Sequence, residues 1–379
     1  MTKESPCKKR PLPSLASGGA YLGLHVAEDR SGVVFRVLAP HAESVSVCGD
    51  FNGWDLDRHP MQRISADGIW ELVFSGELPV DCKYKYFLRR GERGSFKADP
   101  FGREVEKSPG GASVAELPLA FPWRDAGWLR YRKERFSRKD GGSSLCIYGV
   151  DPLWWRRQRD GSPYGYRELA EELIPYVKQM GFTHVELLGV TGGLRIAGSA
   201  IDALYAPMPL MGSPRDLKAL IDSMHEAGVG VILDWNPFFF AASEHGLSEF
   251  DGERLFEAEG ERGSLRAFDL KNPAIREQLI QNALFWIEEY HADGLSVASE
   301  RDPSFLAAWK ASVKGAFPDV MTLAGQARGA RYTLMGSEFG DAWSEGFQRP
   351  LAWDLLDQHM HAEAQLRTAR ENHFYLSQL

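Results

Sequence analysis

Four carboxylates and one tryptophan-bearing turn are the parts of this 379-residue chain whose type and spacing could do chemistry. Asp234 closes the apolar run Gly230-Val231-Ile232-Leu233, Asp293 and Glu300 bracket Leu295-Ser296-Val297, and Glu338 follows Arg331-Tyr332-Thr333-Leu334-Met335. Two carboxyl groups on opposite sides of a bond can work as nucleophile and acid. Flanking residues place Asp293 and Glu300 in polar loops instead. In Phe51-Asn52-Gly53-Trp54 the indole of Trp54 offers a flat apolar face, and Asn52 and Lys85 offer hydrogen-bond donors. An aromatic platform with a few polar groups suits a neutral, hydroxylated ligand.

The composition agrees with such a ligand. A net charge of −8 leaves no electrostatic footprint for nucleic acid, and no stretch approaches the ~18 apolar residues of a membrane span. Met1 to Gly19 is polar and Pro/Ser-rich, which reads as a disordered leader and not as a signal peptide. Cys7, Cys48, Cys82 and Cys146 lack Cys-x-x-Cys spacing, which argues against a metal site and fits buried or free thiols in a reducing cytoplasm. A Cys48–Cys82 bridge within one β module is the alternative. No cofactor is implied.

Three kinds of periodicity organise the chain. Short alternating strands at Val33–Val37, Ser44–Cys48, Trp70–Phe74 and Tyr84–Leu88 predict a β-sandwich over residues 20–119, with Trp70 and Tyr84 facing its core. A linker rich in Trp, Arg and Gly spans 120–144. From Leu145 onward, continuous apolar strands alternate with amphipathic helices, a pattern that leaves either a barrel or an open doubly wound sheet. Ser213-Pro214, Asn272-Pro273 and Asp302-Pro303 each read as an N-cap followed by proline at the first helical position. Gly181 and Gly228 read as left-handed helix stops. Trp154-Trp155 and Phe238-Phe239-Phe240 offer either an exposed ligand surface or core, with core favoured at strand positions.

Several ordered motifs choose the barrel. Val47-Cys48-Gly49-Asp50-Phe51-Asn52-Gly53-Trp54-Asp55, Gly68-Ile69-Trp70-Glu71, Tyr84-Lys85-Tyr86 and Lys97-Ala98-Asp99-Pro100 resemble the N-terminal module of glycogen (1,4-alpha-glucan) branching enzymes, a carbohydrate-binding module of family 48. Tyr164-Gly165-Tyr166-Arg167-Glu168-Leu169, Gly181-Phe182-Thr183-His184-Val185-Glu186-Leu187, Gly230-Val231-Ile232-Leu233-Asp234-Trp235 and Met335-Gly336-Ser337-Glu338-Phe339-Gly340 resemble the catalytic barrel of the same enzymes, in glycoside hydrolase family 13. The resemblance runs from Tyr21 to about Asn372. It implies a β-sandwich module followed by an α/β domain of TIM-type (β/α) barrel architecture.

The resemblance also implies where catalytic groups belong, and this chain departs from it there. A retaining glucosyl transferase needs a carboxylate nucleophile and a second carboxylic acid. The nucleophile strand reads Gly294-Leu295-Ser296-Val297-Ala298, so Ala298 stands at the nucleophile and Ser296 at its arginine. The acid/base strand reads Thr322-Leu323-Ala324-Gly325-Gln326, with Gly325 at the glutamate, and Phe239 replaces a substrate-binding histidine. The loop from Gly192 to Leu204 has no Trp-Gly-Tyr-Gln, and the later His-Asp pair is missing. Asp234 keeps its family position as a remnant of the site, where it supports the chemistry and does not attack; Glu338 matches a structural residue.

Spacing accounts for part of the loss. Only Gln326 to Ala330 separate the acid/base strand from Arg331-Tyr332-Thr333-Leu334-Met335, which resembles the last barrel strand, and a parallel crossover needs a dozen or more residues. The barrel over 145–340 is therefore incomplete, with an antiparallel pairing as one outcome. Its 196 residues fall below the usual span of a closed eightfold barrel. A helical C-terminal extension over 341–379, a protein partner or a second copy would cover the open lining.

The expectation from sequence is a branching-enzyme-like, cytoplasmic protein of α-glucan metabolism whose catalytic carboxylates are lost. Asn52, Trp54 and Lys85 are its expected contacts with a glycogen-like polysaccharide, and a glycogen-metabolising protein is the other expected partner. The competing expectations are an active branching enzyme or α-glucan hydrolase with relocated carboxylates, and a relic without selected function.

Overall fold

The computed structural model describes residues 15–28, 32–107, 111–117, 120–136, 145–193, 203–260, 263–297, 302–325, 332–334 and 372–377. Nine strands build the first module: β1 (Gly23–Val26), β2 (Val33–Leu38), β3 (Ser44–Gly49), β4 (Gln62–Arg63), β5 (Ile69–Phe74), β6 (Lys83–Arg90), β7 (Arg93–Lys97), β8 (Glu104–Val105) and β9 (Ser113–Val114). They form two antiparallel sheets, β1-β2-β5-β4 and β3-β6-β9-β8, with β7 paired to β6. Alternation decides what lies between them: Phe35, Val37, Val45, Val47, Tyr84, Tyr86 and Leu88 are buried in one core. Trp70 donates its Nε1–H to the Ala39 carbonyl at 2.9 Å, and Tyr84 its hydroxyl to Asp99 at 2.7 Å, so both pack as their alternation predicts.

The second unit carries five parallel strands in chain order: β10 (Leu145–Val150), β11 (His184–Leu187), β12 (Gly230–Asp234), β15 (Gly294–Val297) and β16 (Met321–Gly325). The short hairpin β13 (Phe239–Ala241) and β14 (Leu265–Ala267) stands apart. Helices α1 (Ala126–Phe136), α2 (Pro152–Trp155), α3 (Tyr166–Met180), α4 (Pro214–Glu226), α5 (Pro273–Tyr290) and α6 (Pro303–Ala316) accompany the strands. Ser213, Asn272 and Asp302 cap α4, α5 and α6 through their side chains, each with proline following. Gly181 ends α3 at φ 80° and Gly228 follows α4 at φ 77°, the left-handed backbone that glycine adopts without a Cβ clash.

Leu173, Val177, Leu217, Leu220, Leu279 and Trp309 from the helices share one core with Val185, Leu187, Val231, Leu233, Leu295 and Val297 from the strands. The opposite sheet face carries its own cluster of Leu145, Ile147, Ile232, Met321 and Leu323. Among the described residues the helices pack against one face, the arrangement of a barrel wall and not of a doubly wound sheet.

The wall does not close among the described residues. β17 (Tyr332–Leu334) pairs antiparallel with β16, and β18 (Asn372–Ser377) pairs antiparallel with β10, so the order is β17-β16-β15-β12-β11-β10-β18. The antiparallel return of β17 is one of the outcomes left open by a Gln326–Ala330 spacing too short for a parallel crossover. Two expectations need correction. The only described part of the supposed helical extension, Asn372–Ser377, is a strand, because the β-prone His-Phe-Tyr-Leu run supplies backbone partners to the open edge of β10. The supposed linker contains α1, which docks onto the wall through buried Trp128 and Arg132. Of the expected leader, Leu15–Ala20 form a 3-10 segment against α5 and residues 1–14 lie outside the described residues.

Candidate functional site

Two places answer to the chemistry read from sequence: the C-terminal rim of the parallel strands and the tryptophan turn of the module. On the rim, register pairs Asp234 of β12 with Ser296 of β15, and Ser296 in turn with Leu323 of β16. Ser296 is only 1% exposed, and its hydroxyl has no hydrogen-bond partner among the described residues; its carbonyl accepts from the Trp235 N–H at 2.8 Å. Asp234 is half-buried. One of its carboxylate oxygens accepts from the Gly189 N–H at 3.3 Å, and its carbonyl accepts from the Thr191 hydroxyl at 2.6 Å. Gly325 ends β16 one residue beyond the Val297–Ala324 pair.

Phe239 sits half-buried in β13, its N–H turned to Asn236 Oδ1 at 3.3 Å, while Phe238 and Phe240 are core. Ala298, Glu300 and Glu338 lie outside the described residues. Trp155 is core and Trp154 is exposed, which divides a pair that the sequence left undecided.

Asp293 is not in a polar loop. It is fully buried at the opposite end of β15, where one oxygen accepts from Trp128 Nε1–H at 2.8 Å and Arg132 at 3.0 Å, and the other from the Val231 N–H at 2.6 Å. His225 bridges that second oxygen at 2.8 Å to Asp125 at 3.0 Å, and Asp125 also meets His291 at 2.7 Å. Burial alone would discharge this histidine, but the Asp293 charge and the hydrogen bonds its ring donates to both carboxylates raise its pKa to about 9. Burial likewise opposes ionisation of Asp293 and Asp125; the partner histidines outweigh it and hold both below the usual carboxylate range, helped at Asp293 by Arg132. The cluster ties α1, the end of α4 and the start of β15 together, and Arg132 reaches Asp319 before β16 at 2.7 Å. This is the stabilising end of a β/α wall, away from the rim.

The module's turn is built around Asn52. Asn52 is 4% exposed, accepts from the Gly49 N–H at 3.0 Å and the Trp54 N–H at 3.1 Å, and donates to the Val47 carbonyl at 3.0 Å. Its amide also meets His59 Nδ1 at 2.9 Å. Such an amide has no donor left for a sugar hydroxyl, so the expectation of direct contact by Asn52 is corrected: it holds the turn instead. The turn puts Trp54 at φ 63°, a left-handed backbone that is a true outlier for a bulky residue. Trp54 is 37% exposed, with its Nε1–H donated to Asp50 at 3.0 Å, and Asp50 accepts from the Lys83 N–H at 2.9 Å. The turn is thereby pinned to the start of β6.

Lys85 follows two residues along β6, half-buried on the face opposite the core tyrosines, and burial lowers its pKa. Phe87 continues that face, 4.9 Å from Phe96 of β7, with the Arg89 guanidinium 5.2 Å over its ring. A Cβ on Gly94 would come within 2.4 Å of the Phe87 ring. Sequence reasoning missed Phe87 and Phe96; the Lys85-Phe87-Arg89 alternation, out of phase with Tyr84-Tyr86-Leu88, was the available signal.

The module meets the α/β unit elsewhere. Lys97 donates to the Glu244 and Ser248 carbonyls at 2.6 and 2.7 Å, His41 meets Asp251 at 3.0 Å, and Arg90 meets Glu253 at 2.5 Å. Cys48 and Cys82 are both free thiols, so no bridge joins them.

Residues 21–102 match the family model of carbohydrate-binding module 48, the isoamylase N-terminal domain. The chain is 39% identical to the 1,4-alpha-glucan branching enzyme of Aquifex aeolicus, over 86% of this chain and 58% of that protein. With the enzyme of Rubrobacter xylanophilus it shares 42% identity over 73% of this chain and 39% of that one. It therefore spans less than two thirds of the length of these curated relatives. Among solved structures, a pullulanase from Paenibacillus barengoltzii matches with a TM-score of 0.65 at 18% identity, over 84% of this chain and 55% of that one. The catalytic module of a glycogen-degrading pneumococcal virulence factor matches with a TM-score of 0.62 at 15% identity, over 80% and 50%. These structural likenesses concern the fold.

Proposed function

We infer that this branching-enzyme-like chain, with its carbohydrate-binding module 48 and its α-amylase-type wall, binds α-glucan through the module and does not transfer or hydrolyse glucosyl units. The module is taken as residues 20–119 and the shortened barrel as 145–340. The observation that carries the reading is Trp54, held half-exposed on a left-handed backbone by an amide wholly committed to that task. Backbone outliers of this kind persist where the surroundings over-determine them, and they concentrate at ligand contacts. On the face of β6 and β7 away from the module core, Lys85, Phe87 and Phe96 add one cation and two rings. A pyranose stacks its apolar face on an indole and offers its hydroxyls to flanking polar groups.

The inactive half of the proposal rests on side-chain chemistry. A glycosyl-enzyme requires a carboxylate, and the sequence offers serine, alanine and glycine where the resemblance calls for arginine, aspartate and glutamate. Ser296 is 1% exposed and carries no carboxylate. A polymer partner and a glycogen-metabolising protein bound to the same polymer are the expected company of such a chain, in the cytoplasm.

Glycogen co-sedimentation and an iodine-absorbance assay on amylose test the two halves. The chain should sediment with glycogen, Trp54→Ala should sediment markedly less while keeping its thermal transition, and amylose should remain unchanged. Turnover above a heat-killed control, abolished by Asp234→Asn, Glu300→Gln or Glu338→Gln, would establish an enzyme with relocated carboxylates. A native chain that stays in the supernatant would remove the binding half.

A further inference from the structure

We propose that Trp154 is a second α-glucan contact, on the strand-end rim of the α/β unit and independent of the module. The proposal rests on the reading that the chain binds α-glucan. Trp154 lies in α2, which is separated from the last residue of β10 by Asp151 alone and is fixed there by the Asp151 cap and Pro152. Its neighbour Trp155 is buried, donates its Nε1–H to the Tyr148 hydroxyl at 3.0 Å and carries the Arg156 guanidinium 4.3 Å over its ring. That anchorage leaves the short helix no freedom to turn Trp154 inward. Trp154 is 42% exposed, among the most exposed aromatic side chains described.

The ring is also backed. The Arg157 guanidinium lies 4.6 Å over the Trp154 ring, and Arg157 itself donates to the Gly161 carbonyl at 3.0 Å. The segment closes through the Gln158–Ser162 backbone bond at 2.9 Å and the Arg157–Pro163 bridge, so the guanidinium is held by a small hairpin. With a cation on one face, the exposed area of the indole falls on the other face and the edge. A flat ring immobilised before ligand arrives costs little entropy on binding. In the same segment, Arg156 pairs with Glu172 at 3.0 Å, and Gln158 with Glu168 at 3.1 Å, exposed planar polar groups of the kind that meet sugar hydroxyls. Ligands of parallel α/β units gather at the carboxyl ends of the strands, which is where β10 delivers this residue. The ligand class is a neutral α-glucan segment.

The test is fluorine NMR of the chain labelled with 5-fluorotryptophan, titrated with maltoheptaose, the Trp54 and Trp154 resonances being assigned by Trp54→Phe and Trp154→Phe. Both resonances should move, and that of Trp154 should still move in Trp54→Ala. In glycogen-containing native gels, Trp154→Ala should weaken retardation by roughly three- to tenfold, and Trp154→Phe should keep most of it. Movement of Trp54 alone, with native retardation in Trp154→Ala, would overturn this site and leave the module's role standing. Movement of Trp154 alone would uphold the site and overturn the module. No movement of either would overturn both.

Discussion

Asn52 holds the backbone of Trp54: the amide oxygen takes the Trp54 N–H at 3.1 Å while the same side chain, buried, donates back to the module core. The two residues therefore divide one task, and only the tryptophan faces solvent. Asn52→Ala removes the acceptor for two N–H groups and should cost roughly 1–3 kcal/mol of stability. It should also weaken glycogen retardation as far as Trp54→Ala does, at temperatures where the variant is still folded. Urea unfolding and native gels at 15 °C read the two effects separately, and retained binding in a destabilised variant would deny Asn52 its positioning role.

A second expectation concerns pH. His225 has a folded pKa raised from 6.5 to about 9, so its contribution to stability is complete below pH 6.5 and is lost as pH rises through 9. Asp125 and Asp293 are depressed, so theirs is present above the ordinary carboxylate pKa and lost only in acid. The stability plateau should lie between these limits, falling by roughly 2–4 kcal/mol toward pH 9.5. Urea midpoints at pH 5.5, 7.5 and 9.5 measure it. His225→Gln should be less stable at pH 5.5 and should flatten the alkaline slope; an unchanged slope would assign the loss to other groups.

Restoring the family's residues should not restore chemistry. Ser296→Arg drives a guanidinium into a position 1% exposed and should destabilise by roughly 3 kcal/mol or more. Adding Ala298→Asp and Gly325→Glu supplies the carboxylates, yet no strand here carries the missing His-Asp pair. The triple variant should show a lowered melting temperature and no change in amylose iodine absorbance. Measurable branching by that variant would mean the shortened wall still encloses a competent site.

The thiols offer a fourth check. Cys48 is buried and burial pushes its pKa up to about 11. Iodoacetamide at pH 7.5 should label it slowly in the native chain and quickly in urea, followed by peptide mass spectrometry. Rapid native labelling would show that the β3–β6 layer opens.

Much of this architecture is legible in the chain because its signals are local. Ser213, Asn272 and Asp302 announce helix starts within two residues, and Tyr84, Tyr86 and Leu88 announce a core face by alternation alone. The short gap before Tyr332 was enough to rule out a parallel crossover and left an antiparallel return as one outcome. What stayed hidden depends on distant partners. Asp125, His225 and Asp293 come from separate segments, and nothing near any one of them signals that the other two surround it. Asn52 misled for a related reason: its residue type suits a sugar contact, and only the turn geometry shows that its amide is already spent. Trp154 and Trp155 are adjacent and identical, and α2 decides which is core.

The antiparallel pairing of Tyr332–Leu334 with β16 separates two things a strand must know. Its own residues determine that it pairs; the length of chain before it determines which way it points. Lengthening the Gln326–Arg331 stretch enough to form a crossover helix would allow β17 to reverse its heading without altering one of its own side chains. Polarity in this sheet is thus a property of the tether, and a small deletion can invert a strand that is itself untouched.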